Sequence, residues 1–319
     1  MAVFALPGRR LDWHIIVLGM VLAVVTATRA YSYLLFHTLV ETFLVVVALT
    51  AFALAWNTRR HLDNPVLLVV GMALGPVAVL DILHMLAFRG MGIFPADANL
   101  PTQLWIAQRS LAAASMLAAA LVGGRRVAPR HALGIATAVG VALAVLIFTG
   151  YFPDCYVAGQ GLTRFKLSAE YAIMAAFAVT IWRLWRLRDL FPPPLLRLLL
   201  AASALSLIEE AAFTLYVDVF GLLNLIGHLV AVVVGMLLYS GLIRYGLAHP
   251  QEALYGRLND LNARLTDAAL RDNERAALAL ETVDGGAWEW DMASPERPLS
   301  ARHAQWLDLP PGQTATVEM

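Results

Sequence analysis

The chain has 319 residues, of which 60% are hydrophobic and only 14% are charged, and its formal net charge is zero. A soluble domain usually carries about 25% charged residues, so this composition predicts an integral membrane protein. The balanced charge, without a basic cluster, gives no reason to expect nucleic acid as a partner. Because Cys155 is the only cysteine, an internal disulfide and a metal cage of several thiolates are both excluded.

Eight apolar stretches are long enough, or nearly so, to cross a bilayer, which takes about 20 helical residues. They lie near residues 14–30, 32–55, 65–88, 104–122, 131–151, 167–187, 194–217 and 220–245. The predicted fold class is therefore all-α: a polytopic membrane helix bundle of about eight spans, followed by a cytoplasmic helical linker. The first stretch also resembles a signal peptide, whose cleavage would leave seven spans. We favour the uncleaved form.

Arginine sets the expected orientation. In an eight-span arrangement most arginines fall on the side of the chain termini, and the opposite side keeps only Arg29, Arg89, Arg164 and Lys166. Positive charge is enriched in cytoplasmic loops of membrane proteins. Both termini are therefore expected in the cytoplasm, and the second span is expected to begin at the outer surface.

Seven ionisable residues lie within the predicted spans, all in the outer half. They are His37, Glu41, Asp81, His84, Glu209, Glu210 and His228. At the helix rise, the three histidines, Glu41 and Asp81 lie about 6–15 Å below the outer ends of their spans. Such groups are costly inside a membrane unless they are paired or functional. The shared depth predicts one polar site, although interhelical hydrogen bonding remains the alternative for any single member.

Spacing along the helices supports the same site. His37 and Glu41, Asp81 and His84, and Asn224 and His228 are three or four residues apart, so each pair shares a helix face. A carboxylate one turn from a histidine is expected to fix the tautomer of the imidazole. The fourth span brings further polar or aromatic groups to this layer: Gln103, Trp105, Gln108 and Arg109. Arg109 is expected to bind a ligand or to serve only as the counter-ion of Asp81 or Glu41.

The three histidines on different spans indicate the chemistry of the ligand. Imidazole suits zinc, copper, iron and nickel, and histidines also serve as axial ligands of haem. His37, His84 and His228 are therefore the candidate metal or haem ligands. The candidate residues for the rest of the site are Glu41, Asp81, Trp105, Arg109, Glu209, Glu210 and Asn224. A small organic or protonatable ligand from the periplasmic side is the alternative, and the cofactor stays unknown at this point.

Five motifs in order carry a family resemblance: His37–Glu41, Trp56–Arg60, Asp81–Ala87, Gly90–Gly92 and Gln103–Arg109. Over roughly residues 14–245 the chain resembles the third class of bacterial membrane-associated sensor (MASE) domains. The resemblance implies an input domain in the bacterial inner membrane, here expected at residues 1–246. It implies an output enzyme, usually a diguanylate cyclase, a cyclic-di-GMP phosphodiesterase or a histidine kinase, and it implies no known ligand.

The region after the last span has the pattern of a signalling linker. Leu254, Leu258, Leu261 and Leu265 are spaced four, three and four residues apart, which predicts a short parallel coiled coil and a homodimer. This linker is expected at residues 247–275.

Residues 276–319 are interpreted as the truncated start of a PAS domain. Residues 277–291 resemble the opening of such a domain, with a first strand at residues 287–292. A PAS domain needs about 100 residues to close a core, so the output enzyme is expected C-terminal to residue 319. No catalytic residue is expected in this chain.

Three other function classes are possible for a helical membrane bundle with ionisable residues inside it. A secondary transporter typically has repeated halves with broken helices, and no internal repeat is visible. A membrane-embedded metalloenzyme remains an alternative, because histidines and carboxylates can hold a catalytic metal. A retinal photoreceptor needs a lysine inside the bundle, and the only lysine, Lys166, is expected at the outer edge.

Overall fold

The computed structural model describes residues 13–282, apart from residues 61, 63, 96, 216–220 and 244–248. It also describes residues 296–297, 305–306, 308 and 315–316. The chain divides into two units, Met1–Gln251 and Glu252–Met319. The first unit holds the apolar helices.

Eight long helices make up the first unit. They are α1 (Trp13–Thr28), α2 (Tyr33–Thr58), α3 (Pro65–Ala87), α4 (Asn99–Val122), α5 (Pro129–Phe148), α6 (Arg164–Arg186), α7 (Pro193–Leu215) and α8 (Leu222–Ile243). A short 3-10 helix, Arg188–Leu190, lies between α6 and α7. Helices α2 to α8 are long and apolar enough to cross a membrane, which confirms the predicted all-α bundle.

The first predicted span is the shortest of these helices in the structure. Helix α1 is described over 16 residues, which is about 24 Å at the helix rise. The hydrocarbon core of a bilayer is about 30 Å thick. Over the described residues, α1 is therefore shorter than a full span, and seven helices meet the length of one.

Capping residues explain why several helices begin where they do. The Asn64 side chain accepts hydrogen bonds from the backbone N–H groups of Val66 and Leu67, and Pro65 occupies the first turn, where a missing N–H is harmless. The Thr163 hydroxyl caps α6 in the same way. Such side chains satisfy N–H groups that have no partner within the helix.

Helix α4 begins at Asn99, five residues before the predicted start at residue 104. Its first turn is polar and contains Pro101, so a hydropathy window misses it, although proline is tolerated there. The Asn99 side chain accepts hydrogen bonds from the backbone N–H groups of Cys155 and Tyr156. This contact fastens the start of α4 to the loop between α5 and α6.

Six helices form a closed ring, in the spatial order α2, α3, α4, α6, α7, α8 and back to α2. Helix α5 packs outside the ring against α3 and α4, and α1 packs against α2. Close approach of α2 and α3 depends on Gly71, where an added Cβ would lie 2.4 Å from the Cβ of Ala55. The ring therefore has an interior that side chains from six helices can reach.

One end of the ring carries the start of α2 and the end of α3, and we call it the histidine end.

The loop between α5 and α6 contains a small antiparallel hairpin that the sequence did not predict, formed by β1 (Tyr156–Val157) and β2 (Gly161–Leu162). Gly159 in its turn and Gly161 at the start of β2 both have a positive φ, a conformation that glycine adopts without strain.

The described part of the second unit is mainly helix α9, which starts just before the unit, at His249, and runs to Thr282. The helix thus continues past residue 275, where the sequence placed the end of the linker. Beyond it, β3 (Glu296–Arg297) pairs antiparallel with β4 (Ala315–Thr316). The strand predicted at residues 287–292 lies outside the described residues.

Candidate functional site

The ionisable residues singled out from the sequence all lie buried in the helix ring. His37 and Glu41 belong to α2, Asp81 and His84 to α3, Glu209 and Glu210 to α7, and His228 to α8. Arg109 of α4 is buried with them. Among the described side chains, neither α1 nor α5 contributes a buried charged group. The ring interior is therefore where the polar chemistry of this chain is concentrated.

Three imidazoles from three helices meet near the histidine end. The ring centroid of His37 lies 5.4 Å from that of His84 and 5.1 Å from that of His228, both edge to face. Phe88 stacks on His37 with centroids 3.6 Å apart and fixes the plane of that imidazole. The sequence had placed these three histidines at one depth, and the structure brings them together. With Glu41 and Asp81 they form what we call the histidine centre.

Backbone carbonyls orient two of the three imidazoles. Nδ1 of His84 lies 2.8 Å from the carbonyl oxygen of Pro101, and Nδ1 of His228 lies 2.7 Å from that of Asn224. Since a carbonyl only accepts, each Nδ1 carries the proton and each Nε2 presents a lone pair. The expectation that carboxylates one turn away fix these tautomers was wrong for His84. Its partner is a carbonyl in the first turn of α4, and Asp81 instead lies beside Glu41.

Glu41 lies between the imidazoles. Its Oε1 is 3.1 Å from Nε2 of His228 and 3.7 Å from Nε2 of His37. One donor atom each from His37, Glu41 and His84 lie within 4.8 Å of one another. Nε2 of His84 and both ring nitrogens of His37 are buried without a hydrogen-bond partner in the described part of the chain. Buried polar atoms normally have partners, so this donor set fits a metal ion.

Arg109 pairs with α7 and not with α2 or α3. Its Nε donates to Oε1 of Glu210 at 2.5 Å, and its Nη2 donates to Oε2 of Glu209 at 2.9 Å. Its expected role as counter-ion of Asp81 or Glu41 was therefore wrong. The long side chain extends across the ring from α4 to α7, and its guanidinium lies 5.8 Å from the ring centre of Phe177. Two adjacent carboxylates on α7 offer it a stronger pairing than one.

Lys166 is a buried site residue that the sequence did not reveal. It lies in the first turn of α6, at the end of its span as expected, but it is only 1% exposed, so the inference that this lysine lies outside the bundle was wrong. Its Nζ lies 2.6 Å from Oε1 of Glu170 and donates to the carbonyl oxygen of Phe213 at 2.8 Å. The spacing of Lys166 and Glu170, four residues apart on one helix face, was the signal that could have revealed this buried pair.

Two cavities flank the histidine centre and share Trp105, Phe213 and His228 as walls. The cavity nearer the histidine end, which we call the outer cavity, has a volume of about 90 Å³. It is lined by His37, His84, Phe88, Arg89, Ala98, Pro101, Thr102, Trp105, Tyr156, Lys166, Phe213, Asn224 and His228. The inner cavity, of about 110 Å³, is mainly apolar and includes Glu41, Asp81, Gln108, Arg109 and Glu209 in its lining.

Gln103 is the one predicted polar residue that turns away from the centre. Its amide nitrogen donates to the carbonyl oxygens of Phe152 and Pro153, each at 3.0 Å. It therefore fastens the loop after α5 and lines neither cavity described above.

A family model described as a membrane-associated sensor domain (MASE3) matches residues 28–250. The chain belongs to this family. The match covers α2 to α8 and therefore every residue of the histidine centre, which confirms the resemblance read from the sequence for this part of the chain. A membrane-associated sensor domain is an input unit and not itself catalytic. Neither a search of curated proteins nor a search of solved structures gave a match.

Proposed function

We propose that this sensor domain binds a divalent transition-metal ion at the histidine centre and reports its presence to a bacterial signalling output. The observation that carries the proposal is the convergence of one donor atom each from His37, Glu41 and His84 within 4.8 Å, with His228 beside Glu41. The three donors belong to α2 and α3, so an ion held by them would connect these two helices beside His228 of α8.

The charge balance of the ring favours a cation. Each buried cation on α4 and α6 is already paired with carboxylates on α6 or α7. The carboxyl group of Glu41 lies instead near Nε2 of His37 and of His228, and Asp81 lies next to it. Glu41 and Asp81 are hydrogen-bonded to each other, which needs one shared proton, so the pair carries one negative charge beside neutral imidazoles. That charge is costly in a low-dielectric region without a partner. A divalent ion supplies that partner.

The donor set indicates which ion. Imidazole nitrogen and carboxylate oxygen together suit zinc, nickel, copper(II) or iron, and the absence of a thiolate disfavours a purely soft site. Haem is less compatible with the geometry. Two axial imidazoles must lie on opposite faces of a flat macrocycle, whereas these rings lie edge to face at 5.1 and 5.4 Å, and Phe88 already stacks on His37.

We further propose that the domain lies in the bacterial inner membrane with both chain termini in the cytoplasm, so that the histidine end faces the periplasm. The asymmetric distribution of arginine supports this orientation. Metal would then reach the site from outside the cell, and the signal would leave through α8 and α9.

Helix α9 fits the transmission of such a signal. Leu258, Leu261 and Leu265 are each about half exposed along it, as expected for a seam that pairs with a second copy. We propose a parallel homodimer through the seam at residues 254–265, the start of a PAS domain at residues 276–319, and an output enzyme beyond it. A diguanylate cyclase, phosphodiesterase or histidine kinase would suit this arrangement.

Competition with a chromogenic chelator tests the metal site. The full chain in detergent is titrated with Zn²⁺, and His84→Gln should weaken binding by about 100-fold or more, because it removes a ligand. His131→Gln is the matched control, since His131 is exposed on α5 outside the ring. Equal affinity of His84→Gln and the wild type would overturn the proposed site.

Sensing needs a second measurement, because a structural metal would also bind tightly. An ion that signals must shift a conformational equilibrium by binding one state better than the other. Hydrogen exchange in α8 and α9 should therefore change on Zn²⁺ addition in the wild type and not in His84→Gln. Unchanged exchange in the wild type at saturating Zn²⁺ would refute the sensory role and leave a purely structural ion.

A further inference from the structure

We propose that the outer cavity is a second binding site, for a small oxyanion such as a short-chain carboxylate, which would complete the coordination of the metal and pair with Lys166. This inference rests on the proposed metal site and adds a co-ligand to it. The signal recognised by the domain would then be the anion together with the ion.

The shape of the outer cavity supports a ligand of several non-hydrogen atoms. Its volume is about 90 Å³, whereas a single water needs only about 10–15 Å³ of such space. The three imidazoles form one wall, and Trp105 and Lys166 belong to the opposite part of the ring, on α4 and α6. A molecule in the cavity would therefore contact the metal ligands and the lysine side chain together.

The charged residues that line the outer cavity favour an anionic ligand. Arg89 and Lys166 line the outer cavity, and among the described residues no carboxylate does. Glu41 borders the inner cavity. Glu170 already pairs with the lysine ammonium at 2.6 Å, so Arg89 supplies the remaining positive charge of the described lining. A bound metal ion would add further positive charge next to the cavity, and a bound cation often dominates the local electrostatics. An anion is therefore favoured there over a cation.

The metal ion would provide the first contact with the anion. His37, Glu41 and His84 supply three donors, and a metal with three protein ligands keeps a position for an exogenous oxygen. Nε2 of His84 is buried without a hydrogen-bond partner in the described part of the chain, and this imidazole lines the outer cavity. An oxyanion in the cavity would place one oxygen on the metal and another towards the ammonium of Lys166. The aromatic walls formed by Trp105 and Phe213 would cover a short carbon chain.

Cobalt(II) provides the test, because its visible spectrum reports the ligands around it. The full chain is loaded with Co²⁺ in a buffer without carboxylate or phosphate and titrated separately with sodium acetate and with inorganic phosphate. At least one titration should produce a saturable spectral change. Saturation with acetate alone would identify a carboxylate site, and saturation with phosphate an inorganic oxyanion site.

The decisive variant removes the lysine without leaving its partner charged. In Lys166→Met/Glu170→Gln the anion affinity should fall by at least about tenfold, while the anion-free cobalt spectrum stays unchanged and reports an intact metal site. Arg164→Gln, an exposed cation on the same helix, should bind as the wild type does. If the double variant loses the cobalt spectrum, Arg89→Gln replaces it, and a weaker anion affinity of at least about threefold is expected.

Three results would overturn the inference, and those that refute the anion site alone are distinguishable from the one that also refutes the metal site. A chain that binds Co²⁺ but whose spectrum ignores both anions refutes the anion site alone, as does unchanged anion affinity in the lysine variant and in Arg89→Gln. A chain that binds no Co²⁺ at all refutes the metal site and the anion site together.

Discussion

Removal of the buried guanidinium at the centre of the ring should strongly destabilise the bundle. In Arg109→Met the carboxylates of Glu209 and Glu210, which are almost fully buried, lose their two charge-assisted hydrogen bonds at 2.9 and 2.5 Å. Such bonds contribute about 1.5–3 kcal/mol each, and breaking a buried ion pair on one side costs about 3–5 kcal/mol. We expect a loss of about 3–5 kcal/mol in the free energy of unfolding.

The matched control removes the charges together. In Arg109→Met/Glu209→Gln/Glu210→Gln no uncompensated charge remains, and replacement of a whole buried ion cluster by neutral groups is often close to neutral. We expect the triple variant to recover most of the loss, with about 1 kcal/mol remaining for lost interhelical hydrogen bonds.

Reversible unfolding by SDS in mixed micelles, followed by circular dichroism, measures both variants. A single variant within about 1 kcal/mol of the wild type would contradict a buried ion pair, because an exposed or loosely held pair behaves in that way. A triple variant as unstable as the single one would show that the loss comes from packing and not from unpaired charge.

Two further predictions concern helix packing and dimerisation. Gly71→Ala should lower the free energy of unfolding by about 1–3 kcal/mol, because its Cβ would lie 2.4 Å from that of Ala55. Gly134→Ala is the control and should be neutral or stabilising, since an added Cβ there has no neighbour within 4 Å. Equal effects of the two substitutions in the SDS assay would contradict the close packing of α2 on α3. Leu258→Cys should form an intermolecular disulfide under mild oxidation at pH 8. The wild type should not, because burial raises the pKa of Cys155 to about 12 and keeps that thiol protonated. A monomeric Leu258→Cys chain would refute the leucine seam.

Much of the bundle was predictable because its physical cause is local. The length of an apolar run fixes each span, and the ends of α3 and α7 fall within two residues of the expected ranges. Depth and helix face also predicted the meeting of His37, His84 and His228, since both follow from position along a helix of known rise.

The failures share another cause, which is that a sequence does not state which helices are neighbours. Arg109 was assigned to carboxylates on α2 or α3, but the order of the ring brings it to α7. Lys166 lies in the first turn of α6, where hydropathy predicts an exposed residue. Glu170 on the same helix and the backbone carbonyl of Phe213 on the neighbouring α7 stabilise its ammonium in the ring interior. The backbone partner of the His84 imidazole is likewise a contact between helices that no spacing rule predicts.

X-ray absorption spectroscopy at the metal edge of the Zn²⁺-loaded full chain tests the central claim most directly. We expect one ion per chain, with nitrogen and oxygen ligands at about 2.0–2.1 Å, the multiple-scattering pattern of at least two imidazoles, and no sulfur in the first shell. In His84→Gln the imidazole signal should decrease or the ion should be lost. A first shell of oxygen alone, or a wild-type chain that retains no ion, would contradict a metal-binding sensor built on the histidine centre.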